Sequence, residues 1–565
     1  MNRKKPSNNF RMLRSISSKM RQMDPSIEAR YLIIYSFLFK YCSDRLKCQF
    51  SKFCSRKSIT LNEAYRNEII MGHLKKEALD ELGYFIDKPD FFIDNVVEEH
   101  YHDRFFMHPF YSAFRDHIVF EEDSKYEEYF RFIFSECDHA INFNKFEFTN
   151  PNHLLVKEII FAISKLDIFE KEFPFEKVFD RVCQSKLIDV DHDPDYLNFL
   201  ISSIVSSRVK NPVDVFNPFL NDASLLINLY SDCEFPWKNT YAKAQDEFSY
   251  CCGLIKLMIY GFDFNHVCSE LGSPFEPLED LSLKFDVIMS RFPPITSKNL
   301  KRLSINQSYE LLKQNKVNQV KSLLSDQLNI DENSFEQNSE LNVALENLID
   351  KMDLDLDLDA QFVGEYESLK ESEYLFLINM INSLKDDGIM VVSMHHSFLV
   401  KNSLGTLRKF LTLEKNYVDA VISVPNELSR LPKLSGLEII MVFRKNRNTD
   451  KITFIDLSKD FKTQRKRYIL PGSFKKNLIL SDGTISKVLD AYNNKKVIDK
   501  FSNVVTIFEL GDNDFNLSIS RYVDTFEGEF IRLEDLKSQK MEIDKNRKKL
   551  NKKIDLMMRE LDIRL

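Results

Sequence analysis

Two short segments carry the residue types from which a reactive site could be built. Val213 to Leu229 reads VDVFNPFLNDASLLINL, and Leu283 to Ser297 reads LKFDVIMSRFPPITS. Each is a run of β-branched and aromatic residues that ends in a proline-containing loop, the pattern of a strand entering a turn. In the first loop Asn217, Asn221 and Asp222 supply amide and carboxylate groups, and asparagine adopts a left-handed turn at little cost. The second raises a sharper question. Either Phe292-Pro293-Pro294-Ile295 is only a rigid turn, or it is the altered form of a catalytic loop whose hydrogen-bonding residue has been replaced.

Other chemistries find less support. All nine cysteines lie at or before Cys268 and none forms a CxxC pair. Cys42, Cys48 and Cys54 are evenly spaced, but that spacing fits neither a zinc knuckle nor a disulfide framework, so ordinary thiols are expected. His395-His396 is the one adjacent histidine pair, there is no HExxH, and no metal is expected. Only 13 glycines occur, without the cluster that phosphate-cradling loops use. The net charge of −8 argues against a chain that coats nucleic acid unaided. The basic start MNRKKPSNNFRMLRS lacks the apolar core of a secretory signal, and no stretch reaches the length of a membrane span. A cytoplasmic location without membrane contact is expected.

The elements that must position these loops follow from periodicity. A chain of 565 residues exceeds one core. Residues 1–186 are helical, with apolar positions three and four apart in runs such as IEARYLIIYSFLFKYCSDRLK. Residues 187–470 alternate short β-branched runs with helices: VDVFNPF, the helix YAKAQDEFSYCCGLIKLMIYG, the strand FDVIMS, the helix SEYLFLINMINSLKDDG with a glycine stop, then IMVVSMHH, VDAVISV, EIIMVFRK and KITFIDLS. Repeated βα units with near-continuous apolar strands imply an α/β fold with a mostly parallel sheet covered on both faces. Residues 295–371, which include DLDLDLD, read as an insertion. Residues 471–530 form an α/β extension. Residues 531–565 form a coiled-coil-like helix whose Ile543, Leu550, Ile554, Met557 and Leu561 make a heptad-like seam that needs a partner.

A parallel sheet binds its ligand at the carboxyl ends of its strands. Read side by side, the two loops resemble the cofactor and catalytic loops of the modification subunit of type I restriction-modification systems, an N6-adenine DNA methyltransferase family. That family has DPSIEARYLIIYSFLFKYCSDRL-like opening helices, a cofactor loop V-x-D-P-x-x-G-[ST]-G-x-L and an element Y-G-Q-E-x-N. A catalytic loop F-D-V-[IV]-x-[AS]-N-P-P-[FY] and a late segment like NDFNLSISRYVDTFEGEFIRLEDL follow. These lie in the same order here and span nearly the whole chain. The resemblance implies a Rossmann-like domain dependent on S-adenosylmethionine (SAM), preceded by an all-α domain and followed by a C-terminal helix.

Residue by residue, Val215, Pro218, Leu225 and Leu226 match the cofactor loop. The acidic position is Asn217, and the two glycines are Asn221 and Ala223. Asp222 would add negative charge near the ligand's carboxylate. Tyr241, Asp246, Tyr250 and Gly261 keep register, but the acid that holds the ribose hydroxyls is Ala244. Losing two hydrogen bonds to a charged group would cost about 3–6 kcal/mol, or roughly 10²- to 10⁴-fold in affinity. In the catalytic loop Pro293 and Pro294 remain, while the amide position is Phe292 and the stacking aromatic is Ile295. Phenylalanine cannot accept the hydrogen bond of a flipped adenine's amine.

The resemblance therefore implies a subunit with degraded SAM-binding and catalytic motifs, a structural or regulatory pseudo-methyltransferase in a DNA-modification or phage-defence complex. Its family partners are a DNA-specificity subunit and a restriction (motor-nuclease) subunit, with double-stranded DNA held by the complex. Two other readings stay open: an active SAM-dependent N6-adenine methylase with rearranged motifs, and a stand-alone DNA-binding or inhibitory protein.

Overall fold

A computed structural model describes residues 6–59, 61–188, 190, 195–210, 212–232, 238–272, 283–291, 377, 380–424, 438–459, 461–464, 477–480, 483–525, 537 and 540–551. The first part is helical: α1 (Asn8–Met20), α2 (Ile27–Lys57), α3 (Leu61–Arg66), α4 (Glu68–Leu82), α5 (Ile93–His100), α6 (Met107–Arg115), α7 (Lys125–Ala140), α8 (Phe143–Thr149), α9 (His153–Ser164) and α10 (Phe175–Cys183). Against the all-α expectation, one short antiparallel pair, β1 (Tyr84–Ile86) with β2 (Ile118–Phe120), is set among them. The helix α2 is central. Ser26 caps it by accepting from Ala29 N, and the run from Tyr31 to Lys40 is buried on every face. Its Phe39 stacks on Phe114 at 4.5 Å, and its Tyr35 hydroxyl donates to the carbonyl of Tyr111 at 2.7 Å.

The second part begins with α11 (Asp195–Arg208) and adds α12 (Ser224–Asp232) and α13 (Glu247–Ile259) around a nine-stranded sheet. Its strands are β3 (Asp214–Asn217), β4 (Asn239–Ala244), β5 (Val267–Leu271), β6 (Phe285–Arg291), β7 (Leu384–His395), β8 (Val418–Ser423), β9 (Glu438–Phe443), β10 (Ile452–Ile455) and, after the hairpin β11 (Phe461–Gln464) with β12 (Asn477–Leu480), β13 (Ser502–Val505). The order is β5-β4-β3-β6-β7-β9-β8-β10-β13, with β9 and β13 antiparallel to their neighbours. The strands read as continuous apolar runs because both faces are covered. Val215, Val287, Met289 and Val391 face the core shared with the N-terminal helices, while Phe216, Ile288, Met390 and Val392 face a second core on the other side.

Two sequence expectations shift. Gly388 does not stop a helix: the helical turn ends at Asn382, and β7 already starts at Leu384. The glycine is there for close approach, since a Cβ would stand 2.9 Å from the Phe285 carbonyl oxygen. The stretch YAKA, read as the start of a helix, belongs to strand β4, and α13 begins only at Glu247.

The chain builds outward from β3 through β4 to β5, then returns to lay β6 on the other side of β3. That reversal opens a crevice at the carboxyl ends of β3 and β6. With Val215 opposite Val287 and Phe216 opposite Ile288, one further step sets Asn217 beside Met289. The loop after β3 thus meets the exit of β6.

Candidate functional site

The loop after β3 is held from every side. Asn217, 1% exposed, folds its Oδ1 back to accept from Phe219 N at 3.1 Å, and its Nδ2 has no partner among the described residues. Leu220 N donates to the Lys243 carbonyl at 2.8 Å, fastening the loop to β4. The Leu220 side chain seats on Gly253 of α13, where an added Cβ would be 2.9 Å from Leu220 Cδ2.

Asn221 (φ 46°) and Ala223 (φ 59°) both adopt the left-handed conformation. The resemblance sets the family's two glycines at these positions, and the backbone there takes the left-handed turn that glycine favours. Asparagine tolerates this region, whereas the Ala223 Cβ is strained there by roughly 1–2 kcal/mol. Its methyl group is fully buried.

Asp222 does not point where the sequence suggested. Its carboxylate turns inward, accepting from Ser224 N at 3.1 Å through Oδ1 and from Ser224 Oγ at 2.8 Å through Oδ2. It thereby occupies the amino terminus of α12 itself. Lys256 Nζ, 2% exposed, lies 3.1 Å from Asp222 Oδ2 and 3.0 Å from Asp180 Oδ1 on α10. Burial opposes the charge on Lys256, yet Asp222 and Asp180 together hold its ammonium above the usual lysine range. The expected repulsion of a ligand's carboxylate is therefore neutralised. The motif comparison passed over Lys256, although a lone lysine inside CCGLIKLMIYG is the mark of a buried ion pair.

At the end of β4, Ala244 is 1% exposed and its carbonyl accepts from Gly272 N at 2.9 Å. No carboxylate stands at this position. Lys243 is buried against Glu270 at 2.8 Å, and Asp246 caps α13 by accepting from Ser249 N at 2.9 Å.

The strand β6 ends at Arg291, and Phe292, Pro293, Pro294 and Ile295 lie outside the described residues. Counted from Phe285, the family pattern sets its amide at Arg291, whereas counting back from the prolines sets it at Phe292. The chain therefore carries one residue more than the pattern at this exit. Arg291 Nε donates to Glu438 Oε1 on β9 at 2.9 Å, and Ser393 Oγ on β7 donates to the same oxygen at 2.6 Å. Both charged side chains are about one-tenth exposed (11% each). A salt bridge thus joins the carboxyl ends of β6 and β7 to the amino end of the antiparallel β9 beside the crevice, a cluster the loop motifs did not reveal.

Among the described residues no group of histidine, cysteine, aspartate or glutamate is arranged to hold a metal ion, and no helix is long and apolar enough to cross a membrane. His395 is exposed and His396 partly buried, and desolvation lowers the pKa of each.

Comparison with known proteins points to the same family. Residues 297–529 match the N-6 DNA methylase family. The methylase subunit of the type I restriction enzyme MpnII from Mycoplasma pneumoniae is 26% identical over 216 residues, 38% of this chain and 37% of that protein. The match thus spans little more than a third of that relative's length. The methyltransferase subunit of a type I restriction-modification system from Streptococcus thermophilus superposes with a TM-score of 0.66 at 18% identity, covering 91% of this chain and 99% of that one. A chain from a type I R-M system, solved to address complex assembly and conformational transition, superposes with a TM-score of 0.52 at 11% identity over 97% of each chain. The fold is that of these type I methyltransferase subunits, and the resemblance to type I modification subunits is borne out.

Proposed function

We propose that this chain is a non-methylating subunit of a type I-like DNA-modification or phage-defence assembly, keeping the family's architecture without its chemistry. The observation that carries this reading is the self-filled loop after β3. The amino terminus of α12, where a bound anionic group would be stabilised, is capped by the chain's own Asp222, and Lys256 locks that carboxylate in place. The residues around it do not fit SAM: a buried methyl group stands at Ala223 and no acid at Ala244. At the exit of β6 the amide position of the family pattern falls on Phe292 counted from the prolines, or on Arg291, tied to Glu438, counted from Phe285. Neither a phenylalanine nor an arginine side chain has an acceptor with which to polarise an adenine amine.

In this reading recognition of double-stranded DNA belongs to the assembly, with a specificity subunit as direct partner and a motor-nuclease subunit as a further one. The docking element is the C-terminal helix. Its described part, residues 540–551, is exposed throughout, with Met541 at 76%, Ile543 at 66% and Leu550 at 62%. Apolar side chains so exposed on one helix need a partner's surface.

The left-handed backbone kept at Asn221 and Ala223 favours the second reading, an active N6-adenine methylase with rearranged motifs. Calorimetric titration with SAM, followed by assay of methyl transfer to DNA, separates the two. Saturable micromolar binding with transfer supports the enzyme, and the absence of both supports the silent subunit.

A further inference from the structure

Far from the strand ends in sequence, the helical region carries a patch of large apolar side chains left at its surface. Leu154 and Phe161 on α9 are 60% and 40% exposed, Phe148 on α8 is 58%, and Phe105, after α5, is 45%. The patch is continuous. The Phe105 and Phe148 rings pack edge to face with centroids 5.3 Å apart, and Tyr101 meets Phe161 at 4.8 Å. Lys157 links the two halves, its Nζ 5.2 Å from the Tyr101 ring and donating to the Asp103 carbonyl at 3.0 Å. The positions Leu154, Lys157 and Phe161 on α9 and Lys165 at its C-cap recur at steps of three, four and four, so one helix face supplies much of the patch.

Its rim is cationic in effect as well as in composition. Arg104 lies over both Phe105 and Phe148, at 5.7 and 5.6 Å from their centroids, and Lys165 lies 5.4 Å from that of Phe161. The neighbouring carboxylates face other cations: Glu158 pairs with Lys19 at 2.7 Å, and Asp103 and Glu147 both act on the Lys157 ammonium. Among the described residues neither Arg104 nor Lys165 has a carboxylate within ion-pair distance. A partner therefore meets an apolar strip flanked by positive charge that the chain does not itself balance.

We infer that this face docks an acidic amphipathic segment of a partner protein, with leucine-like side chains on the rings and carboxylates on Arg104 and Lys165. Charge complementarity selects the sign of the partner, and the geometry selects its class. Single-stranded nucleic acid needs free ring faces for its bases and a track of cations for its backbone. Here an arginine covers Phe105 and Phe148, and Arg104, Lys157 and Lys165 are too few to track a backbone. An apolar side chain needs only the exposed edges and the Leu154 surface.

The test uses the full chain and an 18-residue synthetic peptide with leucines at helical three- and four-residue spacing and glutamates elsewhere. A lysine-for-glutamate version and a 20-nucleotide single strand serve as controls. The glutamate peptide is expected to bind saturably and at least tenfold more tightly than the lysine version. The variant L154S/F161S and, separately, R104E are expected to lose at least tenfold. All replaced side chains are at the surface, and unchanged thermal unfolding verifies the fold of each variant. Equal affinity for the two peptides, or affinity untouched by the substitutions, overturns the proposal. So does a strand that binds wild type and is lost in the variants, which would assign the face to nucleic acid. Self-association lost in the variants would assign it to a second copy of the chain and overturn it equally.

Discussion

The Lys256 ammonium bridges Asp222 and Asp180, at 3.1 and 3.0 Å, and so ties the loop after the first strand of the large sheet to the last helix of the N-terminal region. With Lys256 and Asp222 at 2% and 1% exposure, removing one partner strands a charge that water cannot reach. Lys256→Ala is therefore expected to destabilise the protein by about 3–5 kcal/mol. The double variant D222N/K256M, which removes both charges of the inner pair, is expected to recover part of that loss. Urea unfolding of the three proteins checks the order; a single variant no worse than the double would contradict it.

Gly253 sets how closely α13 approaches the same loop. A methyl group there would stand 2.9 Å from Leu220 Cδ2 and 3.2 Å from the Asn221 carbonyl oxygen. Gly253→Ala is expected to cost about 1–3 kcal/mol as overpacking, outweighing the helix-propensity gain of about 1 kcal/mol. A rise in Tm would show that the loop yields freely.

These two residues also show what sequence reading reached. The first loop lies at the carboxyl end of β3 as its pattern suggested, and its left-handed positions, Asn221 and Ala223, are those that the resemblance sets at the family's glycines; the second loop lies outside the described residues. The strands were legible because burial on both faces leaves a near-continuous apolar run in single stretches such as FDVIMS. Long-range partners leave no such mark. Lys256 meets Asp180 across 76 positions and Arg291 meets Glu438 across 147. Asp222 therefore read as a free charge, and Gly388 read as a helix stop when it serves the close pass of β6 and β7.

Asp419 predicts a pH dependence. It is 1% exposed on β8, 2.7 Å from Lys495 and 3.2 Å from Arg447, and accepts from the Tyr492 hydroxyl at 2.7 Å. Burial works against its charge, but Lys495 and Arg447 hold its carboxyl below the ordinary 3.8. A carboxyl depressed on folding contributes stability that is complete above its unfolded pKa and is lost as pH falls through the folded one. Stability should thus decline below about pH 4. Asp419→Asn should be less stable at neutral pH and show a shallower acid decline. Equal slopes in wild type and variant between pH 2 and 5 would contradict this.

The C-terminal helix should be separable from the folded body. Truncation after residue 536 is expected to leave Tm unchanged, because the described helix residues are exposed. The same truncation should abolish co-purification with a co-expressed specificity subunit. A large fall in Tm would show that the helix packs on its own chain.

Restoring family residues should move the site in the opposite direction. A223G/A244E removes the buried methyl group and returns a ribose acceptor. The gain in SAM affinity should be on the order of 10²-fold or more. No gain would mean that Asp222 and Lys256 alone keep the loop closed to the ligand.

The central claim is that this chain keeps the methyltransferase fold without the cofactor. Isothermal titration of the wild-type chain with SAM tests it most directly. The account predicts no saturable heat at cofactor concentrations up to about 1 mM, an affinity weaker than about −4 kcal/mol. Saturable binding in the micromolar range would contradict it.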